Sequence, residues 1–93
     1  MLEELKSYLG IEYSDSDTTL SLQLSSSQRY FAKLCGCVLD FETNSDYKEL
    51  LFERCRYANA NALELFEQNY KLELTRIRLE VAVSDYVRNK DPE

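Results

Sequence analysis

Apolar residues recur at helical spacing from the start of the chain. The first segment has leucines three and four residues apart: Leu2, Leu5 and Leu9. This spacing predicts a short amphipathic helix over about residues 2–9. Gly10 follows where a helix often ends in a left-handed residue, and Ile11 is a lone apolar residue that can fold back onto a core.

A longer apolar stripe predicts a second helix, from near Asp15 or Asp17 to Cys35. Its members share one face at 3.6-residue periodicity: Leu20, Leu24, Ser27, Phe31, Leu34 and Cys35. Ser14 and Asp17 have the spacing of a capping box at its start, and Gly36 is the expected stop. The apolar segment 37–41 lacks helical periodicity, so we expect an extended connector pressed onto the core.

A third helix is predicted from about Asp46 to Tyr70. The residues that keep its helical rhythm are Tyr47, Leu50, Leu51, Arg54, Cys55, Ala58, Ala62, Leu65, Phe66 and Asn69. Alanines around residues 58–62 narrow this helix, which would let a neighbouring helix approach closely.

The last apolar segment fits two interpretations. Alternation is typical of a strand, and it occurs in two runs: Tyr70, Leu72 and Leu74, and then Ile77, Leu79, Val81 and Val83. A hairpin would have to turn at Thr75-Arg76, and neither residue suits the positive dihedrals of a tight turn. We therefore favour a helix from about Glu73 to Asn89, apolar over more than half its circumference and in need of a partner. The expected fold is all-α, a small bundle of four helices, one short and three longer, with a final hairpin as the alternative.

Composition supports one helical domain over residues 1–93. The chain is 44% hydrophobic and 30% charged, and two glycines and one proline favour helices over a fold with many turns. The formal net charge is -6 and the eleven basic residues are scattered, which argues against tight binding to duplex DNA. No apolar run approaches the roughly 20 residues of a membrane span, and the first residues do not resemble a signal peptide. Three cysteines, an odd number, fit a reducing cytoplasm.

Candidate chemistry is sparse. The chain has no histidine, the commonest general base and metal ligand. Cys35, Cys37 and Cys55 fall short of the four ligands of a structural zinc site, and we interpret them as small buried residues. An acidic cluster around residues 12–17 lacks the glycine and the terminal glutamate of a calcium loop, and helix capping accounts for it better. We expect no enzyme activity and no catalytic, cofactor-binding or metal site.

Aromatic residues are more suggestive, because the chain has seven tyrosines and four phenylalanines. So many tyrosines cannot all fit inside a small core. Tyrosine is favoured at protein interfaces, where it combines apolar area with a polar tip. Half-buried tyrosines at the rim of a monomer account for them equally well.

The order of these elements resembles the head–tail connector (adaptor) proteins of long-tailed bacteriophages and prophages. The resemblance begins with Leu2-Glu3-Glu4-Leu5-Lys6-x-Tyr8-Leu9-x-Ile11, followed by Asp15-x-Asp17 and Leu20. It continues through Arg54-Cys55-Arg56-Tyr57 and Ala62-Leu63-Glu64-Leu65-Phe66-Glu67-Gln68-Asn69-Tyr70, which are similar to the third helix of that family. The chain departs from the family in Cys35-x-Cys37 and in Ser25-Ser26-Ser27.

The resemblance implies a small helical protein that assembles as a ring under the portal vertex and joins head to tail. Its implied partners are the portal protein, a downstream head-completion or tail protein, and further copies of itself, and its implied location is the virion neck after assembly in the host cytoplasm. DNA would pass through the ring without sequence-specific binding, and the acidic balance is compatible with such a channel.

We expect the subunit or partner interface to include two tyrosines and three residues of the last helix: Tyr30, Tyr57, Leu79, Val83 and Tyr86. A charged residue at Leu79 or Tyr86 should weaken assembly on portal rings. The alternative function is a small acidic regulatory protein, encoded by a phage or prophage, that binds a protein partner through a helical groove.

Overall fold

The chain folds into helices throughout its described part. A computed structural model describes the backbone of residues 1–90 and the side chains of residues 1–84. The helices are α1 (Leu2–Leu9), α2 (Asp17–Cys35), α3 (Ser45–Asn59), α4 (Leu63–Asn69) and α5 (Lys71–Lys90), and residues 1–90 contain no strand. The predicted all-α class is confirmed. The hairpin alternative is wrong, because every residue of its two proposed strands except Tyr70 lies within α5.

The predicted count of four helices is wrong, because the segment expected to be one helix from Asp46 to Tyr70 forms both α3 and α4. The break lies at Asn61, which has a φ of 56°. The Ala62 amide donates to the Tyr57 carbonyl at 2.8 Å, and the Asn61 amide donates to the Ala58 carbonyl at 3.1 Å. These two bonds form a Schellman motif, and asparagine tolerates the left-handed conformation that the motif requires.

Both predicted glycine stops are confirmed. Gly10 ends α1 with a φ of 74° and Gly36 ends α2 with a φ of 77°. After Gly10, the amide of Ile11 donates to the Lys6 carbonyl at 2.9 Å, and Ile11 packs half-buried against the core. A left-handed residue with a Cβ atom is strained, which explains glycine at both positions.

The expected capping box at the start of α2 is wrong. The N-cap is Ser16, whose side chain makes no capping hydrogen bond. The carboxylate of Asp17 instead pairs with the ammonium of Lys6 at 2.9 Å. This pair joins the end of α1 to the start of α2, so Asp17 serves a contact between helices rather than a local cap.

The core lies around α2, which packs against α1, α3 and α5. The predicted stripe of α2 is confirmed at its fully or nearly buried members: Leu20, Leu24, Ser27 and Phe31. Leu39 and Phe41 are buried in the connector between α2 and α3, as expected. Helix α5 packs against α2 and α4 and buries Leu74, Ile77 and Val81. Of the helices in the described part of the chain, none is both long enough and apolar enough to cross a membrane.

Candidate interaction surface

A buried carboxylate, that of Glu53 on α3, links three parts of the fold. Glu53 is only 8% exposed. Its Oε1 accepts hydrogen bonds from the Tyr70 hydroxyl at 2.7 Å and from Arg56 Nη2 at 2.7 Å, and its Oε2 accepts one from the Tyr8 hydroxyl. Tyr8 belongs to α1, and Tyr70 is the single residue between α4 and α5. The carboxylate therefore ties α1 and the α4–α5 joint to α3.

We call Glu53 and its three hydrogen-bond donors, Tyr8, Arg56 and Tyr70, the Glu53 cluster. Burial and these hydrogen bonds set the ionisation of Glu53 and of the two tyrosines. The hydrogen bond from Arg56, assisted by those from Tyr8 and Tyr70, lowers the pKa of Glu53 to about 2 against the opposing effect of burial. Burial, together with the hydrogen bond to Glu53, raises the pKa of Tyr70 to about 12. The pKa of Tyr8 is also raised well above its usual value, first by burial and then by Glu53. At neutral pH the cluster thus holds a carboxylate and two neutral phenols.

Replacing Tyr70 with phenylalanine should lower the free energy of unfolding by about 1.5–3 kcal/mol, the usual contribution of a hydrogen bond to a charged group. The ring would remain in place while Glu53 loses one of its donors. Urea denaturation measures the change. Tyr13→Phe is the matched control, because Tyr13 is 59% exposed, and it should shift stability by less than about 0.5 kcal/mol. Equal small shifts in the two variants would show that the Tyr70 hydroxyl contributes nothing.

A cleft of about 340 Å³ opens beside this cluster, between α1, α3 and α5. Three tyrosine rings line it, those of Tyr8, Tyr47 and Tyr70, with two buried apolar residues, Leu50 and Ile77. Its charged lining consists of Asp46, Glu49, Glu53, Glu73, Arg76 and Glu80. Because Glu53 is already paired with Arg56, four carboxylates against one guanidinium leave the cleft a formal charge of -3, which favours cations.

Three large apolar side chains of α5 are exposed to solvent. Leu72 is 79% exposed, Leu79 is 62% exposed and Val83 is 60% exposed. At 100° per residue, these three residues fall within an arc of roughly 40°. We call them the outer stripe of α5. Because α5 buries Leu74, Ile77 and Val81 on its inner side, the helix is apolar on two faces, as expected from the sequence.

Of the five predicted interface residues, two lie on open surface and two make contacts within the chain. Leu79 and Val83 belong to the outer stripe and are open to a partner. The hydroxyl of Tyr30 donates to Glu67 Oε2 at 2.9 Å, and the hydroxyl of Tyr57 accepts from Asn69 Nδ2 at 2.9 Å. Tyr86 lies outside the residues whose side chains are described.

The rings of Tyr30 and Tyr57 belong to an internal aromatic cluster. Both pack edge-on against Phe66, with ring centroids 6.4 Å and 5.6 Å away. The guanidinium of Arg54 also lies 4.2 Å above the Tyr30 ring. Each of these tyrosines is half-buried and already bonded within the chain, so the outer stripe offers a partner more open surface than they do.

All three cysteines are free thiols. Burial raises the pKa of Cys55, whose Sγ lies 3.7 Å from Ser27 Oγ, and burial also raises the pKa of Cys35. A raised pKa keeps a thiol protonated and unreactive at neutral pH. Across the described residues, no three cysteine or carboxylate side chains are grouped to hold a metal ion.

Sequence reasoning missed Glu53 and the cleft beside it. The local signal was Arg56 three residues after Glu53, a spacing that brings the two side chains together on a helix. Tyr8 and Tyr70, however, are 45 and 17 residues away in sequence. Nothing in the local pattern indicates that these tyrosines meet the same carboxylate.

Comparisons of the chain with protein-family models, with curated proteins and with solved structures found no match.

Proposed function

We propose that the chain is a structural protein of a virion neck, which assembles as a ring under the portal and joins head to tail. The observation that carries this proposal is the outer stripe of α5. Three exposed apolar side chains in line on one helix are typical of a surface that a partner covers. The resemblance in the order of the sequence elements points to a connector.

The proposed ring has further copies of the chain as neighbours, the portal protein on one side and a head-completion or tail protein on the other. A closed ring needs two different contact surfaces on each copy. The outer stripe is the candidate for the contact with the portal, and the surfaces beside the half-buried Tyr30 and Tyr57 are candidates for the contacts between copies. The net charge of -6 suits a lumen through which DNA slides, because like charge opposes contacts with phosphate. In this role the protein acts by binding and without turnover, in the virion after assembly in the host cytoplasm.

Replacing Leu79 with glutamate should abolish or strongly weaken assembly on the portal, because a charge in an apolar contact loses hydration without a partner. Light scattering of the chain, alone and mixed with the portal protein encoded nearest to it, measures the number of copies bound. Leu22→Glu is the control, since Leu22 is 66% exposed on α2, away from the outer stripe. Assembly that survives Leu79→Glu as well as Leu22→Glu would remove the stripe from the interface.

A small acidic regulatory protein is the second candidate, and the acidic cleft is the observation that favours it. A regulator would bind one partner protein at low and fixed stoichiometry. A connector would bind the portal in many copies. The same light-scattering measurement therefore separates the two functions, because a complex with many copies per portal contradicts the regulator.

A further inference from the structure

We propose that the cleft and the outer stripe of α5 together form a docking surface for an amphipathic helix of a partner protein, one that carries arginine or lysine along an edge of its apolar face. The inference rests on this surface alone: under either candidate function it assigns the outer stripe to a partner protein and not to a second copy of this chain.

The apolar half of the surface is the outer stripe. From Leu72 to Val83 it covers twelve residues of α5, which are eleven steps of 1.5 Å or about 16 Å. An amphipathic helix presents apolar side chains at i, i+3 or i+4, and i+7, which repeat over a similar length. The stripe thus matches roughly three turns of a helix laid along α5.

The charged half lies directly beside the stripe on the same helix. Going around α5 from Val83, Arg76 and Glu80 follow within roughly the next 60°. Glu73 and Glu80 form one wall of the cleft, and Asp46 and Glu49 belong to α3 across from them.

These four carboxylates have no ion-pair partner among the described side chains. The ion pairs found there are Lys6–Asp17, Lys48–Glu4 and Arg56–Glu53. Four like charges around one cleft repel each other, and a cation of a partner would relieve that repulsion. Charge complementarity therefore selects a basic partner and disfavours nucleic acid.

The tyrosines make the cleft suitable for long cationic side chains. The hydroxyls of Tyr8 and Tyr70 are both held by Glu53, which itself is held by Arg56. Their rings are consequently fixed before any partner arrives, so binding does not have to order them. A guanidinium or ammonium group that lies on a tyrosine ring gains a cation–π contact in addition to its ion pairs.

The test uses a fluorescein-labelled helical peptide with leucines on one face and arginines along one edge of that face. Fluorescence anisotropy follows its binding to the wild-type chain and to the double variant Glu73→Gln/Glu80→Gln. Glu12→Gln/Glu64→Gln is the matched control, because it changes the net charge equally at exposed positions outside the cleft. Circular dichroism confirms that each variant remains helical.

We expect the cleft variant to weaken binding by about 5- to 30-fold, which corresponds to two ion pairs of up to about 1 kcal/mol each, and the control variant by less than about twofold. Leu72→Ser/Leu79→Ser should also weaken binding, and a peptide with glutamates in place of the arginines should not bind. The proposal is overturned if the arginine peptide does not bind, if the two charge variants weaken it equally, or if the glutamate peptide binds as well. It is also overturned if light scattering shows that the chain alone self-associates, that Leu72→Ser/Leu79→Ser abolishes this self-association and that Glu73→Gln/Glu80→Gln leaves it unchanged.

Discussion

Replacing Phe66 with alanine is expected to lower the free energy of unfolding by about 3–5 kcal/mol, a large part of the 5–15 kcal/mol that stabilises a typical domain. Phe66 is 1% exposed and is the buried residue of α4. Its ring lies 5.0–6.4 Å from four other aromatic rings, those of Tyr30, Phe31, Tyr57 and Tyr70. Truncation removes these contacts and leaves a cavity where α2, α3 and α4 meet.

Urea denaturation of the wild type, Phe66→Ala and Leu65→Ala measures this effect. Leu65 is the neighbouring residue on the same short helix and is 44% exposed, so its truncation should cost well under half as much. Similar losses in the two variants would contradict the packing of α4 through Phe66. The comparison also tests the break between α3 and α4, because an uninterrupted helix would not bring Phe66 back onto Phe31.

The Glu53 cluster should make the free energy of unfolding depend on pH in the acidic range. The pKa of Glu53 is about 2 in the folded chain, against an ordinary value of 4.5. A carboxylate whose pKa is lowered by folding stabilises the fold above its unfolded pKa, and this contribution is lost as the pH falls. We expect the Glu53 carboxylate to contribute about 2 kcal/mol to the free energy of unfolding, a value reduced for screening by solvent in the cleft. It should be fully present above about pH 5 and lost progressively between pH 4.5 and 2.

The variant Glu53→Gln isolates this contribution, because it keeps the shape of the side chain and removes its charge. The difference in unfolding free energy between the wild type and Glu53→Gln should shrink as the pH is lowered from 5 to 2. Glu49→Gln is the control. Glu49 lies one turn before Glu53 on α3, at an exposed position in the same cleft, and its replacement should change the free energy of unfolding by less than about 0.5 kcal/mol at each pH. A difference for Glu53→Gln that stays constant with pH would contradict the assigned hydrogen bonds.

Periodicity and glycine placement alone predict the helical class and several boundaries. Gly10 and Gly36 end α1 and α2 as expected, because a left-handed residue is a local requirement that glycine meets. The buried stripe of α2 follows equally well from its apolar spacing. The sequence also indicates that the last segment has more apolar surface than a single core can bury.

Local patterns do not predict where the chain turns back on itself. The apolar rhythm continues through Ala62, Leu65 and Phe66, so it indicates one long third helix. The turn at Asn61 forms because burial of Phe66 against Phe31 is a tertiary contact, between residues 35 positions apart, and it outweighs the modest preference for continuing the helix. Asparagine at this position permits the turn, but asparagine also occurs within helices.

For the candidate interaction surface, too, one part follows from the sequence and another only from the packing of the helices. Once the last segment is taken as a helix, its spacing alone makes α5 apolar on two faces. Packing against α2 and α4 selects the face that is covered: Leu74, Ile77 and Val81 meet the core, and Leu79 and Val83 remain outside. The tertiary structure alone brought Tyr8, Glu53 and Tyr70 together and opened the acidic cleft beside them, because side chains far apart in sequence share one site only after the helices have packed.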